Sequence, residues 1–390
     1  MKTGLLWMGE TEALAARTDR RKLLKYLGAA AAGAAVGAAI GRYTWIPTPG
    51  PSGTVVDTTT LTKTQTVTET FVYPPSLRAA AEARGLLVGS YADEVTLKDP
   101  QFSETLIREF NSFTAGDTGW SEVDCCGHGP GDALVRFASD HQMKVKGHPL
   151  IWHGDLPDWI NQNTPAGTLR GAMQRHIREE VAHYRGKVHT WDVVNEGIDR
   201  DGLRKTIFLE KLGDDYIAEA FRLAHEADPS VLLFYNDYDA EAAGGLQKAK
   251  SDQVYELMKK LVADGVPIHG VGLQMHLFAV EYPNPEDIAA NIRRLAALGL
   301  KVNISEMDVR IKELPLAMSK RLEMQRDIYH DVIAACVREK GFMGITFWGF
   351  TDAHSWINES GQGPDYPLLF DENYQPKPAY WGVMDALLGR

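Results

Sequence analysis

From Leu77 to the C-terminus, short apolar runs alternate with amphipathic stretches about eight times. The apolar runs predict strands at Leu86 to Tyr91, Phe110 to Ala115, Met143 to Trp152, Val188 to Glu196, Val231 to Tyr238, Gly270 to Leu277, Lys301 to Val309 and Gly344 to Thr351. Between them, stretches such as Thr168 to Tyr184, Asp214 to Ala227, Leu246 to Ala263, Pro285 to Leu298 and Arg321 to Arg338 repeat apolar residues at intervals of three and four. That is the period of a helix with one buried stripe. Strands alternating with helices form βα units around a parallel sheet. Eight units, with the length available, predict an α/β fold closed as a (β/α)8 barrel in one domain over 77–390.

The first 76 residues break this pattern. Asp19-Arg20-Arg21-Lys22 precedes a mild Ala/Gly stretch from Tyr26 to Gly41. A basic segment before an apolar core is an export pattern, and paired arginines before a mild core mark the twin-arginine form. Residues 1–41 are therefore expected to be a signal for a secreted or cell-surface protein. Residues 23–41, left uncleaved, would serve as a membrane tether, although the stretch is shorter than a spanning helix prefers. Residues 42–76 are rich in Thr, Pro, Gly and Ser, which predicts an extended spacer; a Val/Thr alternation leaves one strand as the alternative there. Folded sequence is expected from about Ser76.

Polar residues cluster where the predicted strands end. His148, Trp152 and His153 close the third strand, Asn195 and Glu196 the fourth, and Tyr235, Asn236 and Asp237 the fifth. Gln274 and His276 close the sixth, Glu306 and Asp308 the seventh, and Trp348 the eighth. A glutamate at a strand end is ordinarily a solvated edge residue, and a lone histidine there is ordinarily structural. Barrel enzymes, however, build their sites at the carboxyl ends of the strands, and six successive strands end this way here. Two such glutamates facing each other are what cleavage of a glycosidic bond requires.

Composition narrows the partner. The 390 residues carry a formal net charge of -11, against a nucleic-acid surface, which would concentrate Lys and Arg. Nine Trp and fourteen Tyr supply flat faces suited to neutral sugar rings. The three cysteines, Cys125, Cys126 and Cys336, define neither a disulfide framework nor a zinc spacing. Cys336 bridged to one of the adjacent pair, or all three reduced, are both open. No clustered ligand set suggests a metal, and no cofactor is implied.

Five segments in order, GHPLIWH (147–153), WDVVNE (191–196), GVGLQMH (270–276), ISEMD (304–308) and FWGFTDAHSWI (347–357), resemble glycoside hydrolase family ten, the retaining endo-β-1,4-xylanases. The likeness runs from about Leu77 to the C-terminus. It implies a (β/α)8 barrel, with Glu196 as acid/base and Glu306 as nucleophile, their carboxyl groups about 5 to 5.5 Å apart. His276 would orient the nucleophile, with Asp308 holding the imidazole. Asn195 would bind the sugar 2-hydroxyl, and Gln274 would sit near Glu196. His148, Trp152, Trp348 and Trp356 would surround the sugar beside the scissile bond, and Tyr235 would touch the leaving-group side. His153 and Asn236 would support these from behind. The substrate implied is a plant-type β-1,4-linked polysaccharide, xylan first.

The segment after the second strand departs from that family. Where a Glu-Asn-Glu-Met-Lys-Trp type segment is usual, this chain reads Thr114-Ala115-Gly116-Asp117-Thr118-Gly119-Trp120, without the first Glu or the Lys. Asp117 is expected to replace the Asn as an acceptor for the sugar. Met275 stands where a small Ser is common. Both changes are expected in the substrate groove, which would widen the choice of sugar to cellulose or mixed glucan. An endo-β-1,4-glucanase or a dual enzyme is thus an alternative, and a non-catalytic polysaccharide-binding barrel a more distant one.

Overall fold

The computed structural model describes residues 54–61 and 65–390, with side chains from Tyr73 onward. The expected signal and tether lie outside the described residues. Where a spacer is expected, Thr54–Leu61 pairs antiparallel with Gln65–Val72. The Val/Thr alternation thus makes two strands rather than one, as its β-branched residues favour a pleated backbone.

Eight parallel strands close the barrel: β1 (Leu87–Ala92), β2 (Ser112–Ala115), β3 (Lys144–Gly147), β4 (Thr190–Asn195), β5 (Leu232–Asp237), β6 (Gly270–Leu273), β7 (Lys301–Arg310) and β8 (Phe342–Phe347). Each pairs with the next, and β8 returns to β1 through Gly344 to Phe347 against Leu87 to Ser90. The helices that follow them are α1 (Pro100–Glu109), α2 (Gly129–Asp140), α3 (Ala166–His183), α4 (Tyr216–Ala227), α5 (Lys248–Ala263), α6 (Pro285–Ala297), α7 (Met318–Cys336) and α8 (Pro378–Leu388). Local chemistry sets their starts. The Asp99 side chain accepts from Gln101 N ahead of α1, and Asn284 from Glu286 N ahead of α6, each with proline in the first turn.

The strands are shorter than predicted where a loop takes over. The third run ends at Gly147, and His148 to Trp152 continue as loop, joined to β4 by a bridge from Ile151 to Val194. The sixth is interrupted after Leu273, where Met275 adopts φ 67°, and resumes as His276–Phe278 beside β7. The interruption turns Gln274 and His276 toward the two glutamates.

Cys336 is buried within α7 and free, while Cys125 and Cys126 are bonded to each other at the end of the exposed helix Trp120–Cys126. A bridge to Cys336 is therefore excluded, since its sulfur belongs to the packed interior. Among the described residues no helix is long and apolar enough to cross a membrane.

Candidate active site

Glu196 and Glu306 end neighbouring parts of one polar network at the carboxyl end of the barrel. Glu196 Oε1 accepts from Gln274 Nε2 at 3.2 Å and from Asn195 Nδ2 at 3.4 Å. The same Gln274 amide and Asn236 Nδ2 both donate to Asn195 Oδ1, at 3.2 and 2.9 Å. Asn236 Nδ2 also donates to Glu306 Oε1 at 2.6 Å, while its own oxygen accepts from Ser305 Oγ at 2.6 Å. Three amide side chains thus connect the two carboxyl groups. Gly272 makes this possible, because a Cβ there would collide with the Asn236 amide.

The two carboxyl groups live in unlike surroundings. Burial, then the charge of Asp237, pushes the Glu196 carboxyl above its ordinary range, offset in part by hydrogen bonds from Gln274 and Trp152. Glu306, 4% exposed, faces the His276 imidazole instead, with Nε2 3.3 Å from Oε2. His276 Nδ1 lies 2.8 Å from Asp308 Oδ2, which also accepts from Trp356 Nε1 at 2.9 Å. Burial works to lower His276, but the Asp308 carboxylate and then Glu306 raise it to about 10. Glu306 is thus paired with an imidazolium, and Glu196 stands beside a buried negative charge.

His148 and the two tryptophans form the wall beside this pair. His148 Nδ1 lies 2.9 Å from Asp192 Oδ2, which also pairs with Lys146 at 2.7 Å. Burial of Asp192 is outweighed by Lys146 and His148, which hold its carboxyl below the usual range. Trp348 sits 4.7 Å from Tyr91, 5.2 Å from His148 and 6.4 Å from His276 between ring centres. Trp356 is 5.4 Å from His276, with the Arg310 guanidinium 4.9 Å from its ring. Two buried carboxyl groups in unlike surroundings, set against aromatic faces, match the division of labour in glycoside cleavage.

The model of "Glycosyl hydrolase family 10" matches residues 76–386. The chain belongs to glycosyl hydrolase family 10. This family 10 chain is 37% identical over 325 residues to "Endo-1,4-beta-xylanase B" of Thermotoga neapolitana, covering 80% of this chain and 91% of that one. It is 36% identical over 302 residues to "Beta-1,4-xylanase" of Dictyoglomus thermophilum, covering 73% and 84%. Among solved structures, xylanase 10B of Thermotoga petrophila RKU-1 in complex with xylobiose superposes with a TM-score of 0.76 at 36% identity, covering 82% and 98%.

Three expected sugar contacts of this family 10 chain are placed otherwise. Tyr235 is fully buried and its hydroxyl bonds Asp237, so it presents nothing to the leaving group. Tyr238, three residues on, is half-buried and close enough to Glu196 to feel its charge. Asp117 lies in the turn after β2, but its Oδ2 accepts at 2.6 Å from Glu94 N, a first-turn donor that the Asp93 capping box of the short helix Glu94–Leu97 does not satisfy. An unpaired backbone donor has captured it. Burial, with Asp93, Glu122 and Glu94 nearby, raises its carboxyl. Met275 is fully buried; its backbone N donates to Glu241 Oε1 at 3.0 Å and its carbonyl accepts from Asp308 N at 3.4 Å.

Other contributors carried weak signals. Asn236 and Asp237 were visible as polar strand ends, but not which of them touches Glu306. Lys250, paired with Asp237 at 2.7 Å, comes from α5, where a lysine in register with Val254, Met258 and Leu261 was the only clue. Tyr91 and Asp192 read as ordinary strand residues.

Proposed function

We propose that this chain is an exported, retaining endo-β-1,4-xylanase that cuts internal xylan linkages by double displacement. The observation that carries the reading is the asymmetry of the pair: Glu196 biased toward its protonated form, Glu306 opposite an imidazolium. Glu306 attacks the anomeric carbon while Glu196 gives its proton to the departing glycosidic oxygen, leaving a glycosyl ester on Glu306. Glu196, now a carboxylate, takes a proton from water as the water attacks the same carbon and releases Glu306. Asn195 is held by Asn236 and Gln274 for the sugar 2-hydroxyl. Trp348 and Trp356 exclude water and wall the ring.

Xylan is favoured by the chain's relatives, which are named xylanases, and by the xylobiose bound to one similar structure. The changes near β2 and at Met275 lend glucan less support than expected, because neither Asp117 nor Met275 is free to reshape the groove. Initial rates and products on xylan and on a β-glucan test the assignment. The expected result is short xylo-oligosaccharides, first formed as the β-anomer by NMR. Cleavage of glucan without cleavage of xylan, or first-formed α-anomer, overturns it. Export is supported by Arg20-Arg21 and the Ala/Gly stretch that follows. Lys at both positions should leave the enzyme inside the cell, and unchanged export would refute a twin-arginine signal. Membrane retention of the wild-type chain would assign the tether to residues 23–41.

A further inference from the structure

Lys250 lies on the outer helix α5, yet its side chain is only 3% exposed. Its ammonium pairs with Asp237 at 2.7 Å and stands 3.4 Å from the centre of the Tyr238 ring. Asp237, fully buried at the end of β5, also accepts from Tyr238 N at 3.0 Å, from Ile198 N at 3.3 Å and from the Tyr235 hydroxyl. Ile198 is two residues past Glu196. On the other side, Arg204 Nε donates to the Glu196 carbonyl at 3.0 Å and Nη2 to the Tyr238 hydroxyl at 2.7 Å. This cage encloses a backbone that needs holding. Glu196 has φ 55°, a left-handed conformation that is unfavourable for a non-glycine residue.

We infer that Lys250 is a positioning residue for the acid/base: by pairing with Asp237 it fixes both the backbone and a negative charge beside Glu196, and so sets the pH at which Glu196 gives up its proton. The charges that face Glu196 are Asp237 from β5, Glu306 from β7, and the cations Arg204 and Lys250. The Tyr238 and Tyr216 hydroxyls adjoin them. His153, lowered to about 4 by burial and by Arg204 and Lys250, is neutral beside them. No charge other than Lys250 is paired with Asp237 among the described residues.

The test uses Lys250→Met and Asp237→Asn in the full enzyme. Lys250→Met removes the counter-charge and leaves the three other donors on Asp237, so the Asp237 charge acts on Glu196 with less opposition. The basic limb of kcat/KM on xylan should move up by about one pH unit. In Asp237→Asn the charge is gone, and the limb should move down by about as much. On dinitrophenyl β-xylobioside, whose leaving group needs no proton, the formation of the glycosyl-enzyme should stay close to wild type, which a merely structural defect would not allow. A limb unmoved in a folded variant, or moved in the opposite sense, overturns the inference, and either variant alone decides by its direction if the other fails to fold. The inference rests on Glu196 being the acid/base. If Glu196→Ala still cleaves xylan with the wild-type basic limb, that assignment falls and the role of Lys250 with it. If Glu196→Ala no longer cleaves xylan while Lys250→Met leaves the limb in place, only the inference falls.

Discussion

Replacing Asp308 by Asn keeps the shape of the side chain and removes its charge. In the native site burial lowers His276, but Asp308 at 2.8 Å and Glu306 at 3.3 Å raise it from 6.5 to about 10. A rise of that size corresponds to on the order of 5 kcal/mol in favour of the imidazolium. Asp308 is the nearer carboxylate and the larger cause. The sign is that of a raised base: the contribution is complete below 6.5 and is lost as the pH climbs through about 10. In Asp308→Asn the imidazolium keeps only Glu306 against the lowering effect of burial, so more than half of its stabilisation is gone and its proton leaves well below pH 10. Weakened charge-assisted bonds to His276 and to the Trp356 indole cost about 1.5 kcal/mol, or about tenfold in rate, at any pH. As the pH rises through that lowered value, a further loss of about tenfold should follow as His276 turns neutral and leaves Glu306 without its cation. The assay is kcat/KM on dinitrophenyl β-xylobioside from acid to alkaline pH, taken as the ratio of variant to wild type, with the imidazole titrated by NMR. A ratio that is the same across the whole range would refute the reasoning.

Other perturbations separate the roles of neighbouring residues. Glu306→Ala should abolish turnover and be rescued by azide as an α-glycosyl azide, whereas Glu196→Ala should keep activity only on substrates with good leaving groups; product analysis by NMR distinguishes the two. Lys146→Met strands the buried Asp192 carboxylate and should cost about 3–5 kcal/mol in urea unfolding, together with a rise in KM through His148. Because Asp192 is lowered, its stabilising share is present above the ordinary carboxylate range and is lost in wild type as the pH falls through its depressed value. Trp348→Ala removes the ring packed between Tyr91, His148 and His276 and should lower kcat/KM about tenfold, with the fold kept by circular dichroism.

The barrel was legible because its signal is periodic and repeated: each strand run recurs before a helix with one apolar stripe. Glu196, Glu306, His276 and Asp308 were legible because they end strands within segments that resemble one family. What escaped depends on side-chain direction, which strand-end position alone does not supply. Tyr235 and Tyr238 stand three residues apart at the end of β5, yet only the second reaches the neighbourhood of Glu196. Asp117 was drawn off by one first-turn backbone donor of a capped helix, a contact that no spacing rule reveals. The contribution of Lys250 crosses from an outer helix to a strand end, a tertiary contact with no local signature.

The central claim, that Glu306 is the nucleophile, is tested most directly by trapping the glycosyl-enzyme. A dinitrophenyl 2-deoxy-2-fluoro-β-xylobioside should inactivate the wild-type enzyme, and peptide mass spectrometry should place one fluoroxylobiosyl group on Glu306. A label on any other residue, or full activity after prolonged exposure with no label, would contradict it.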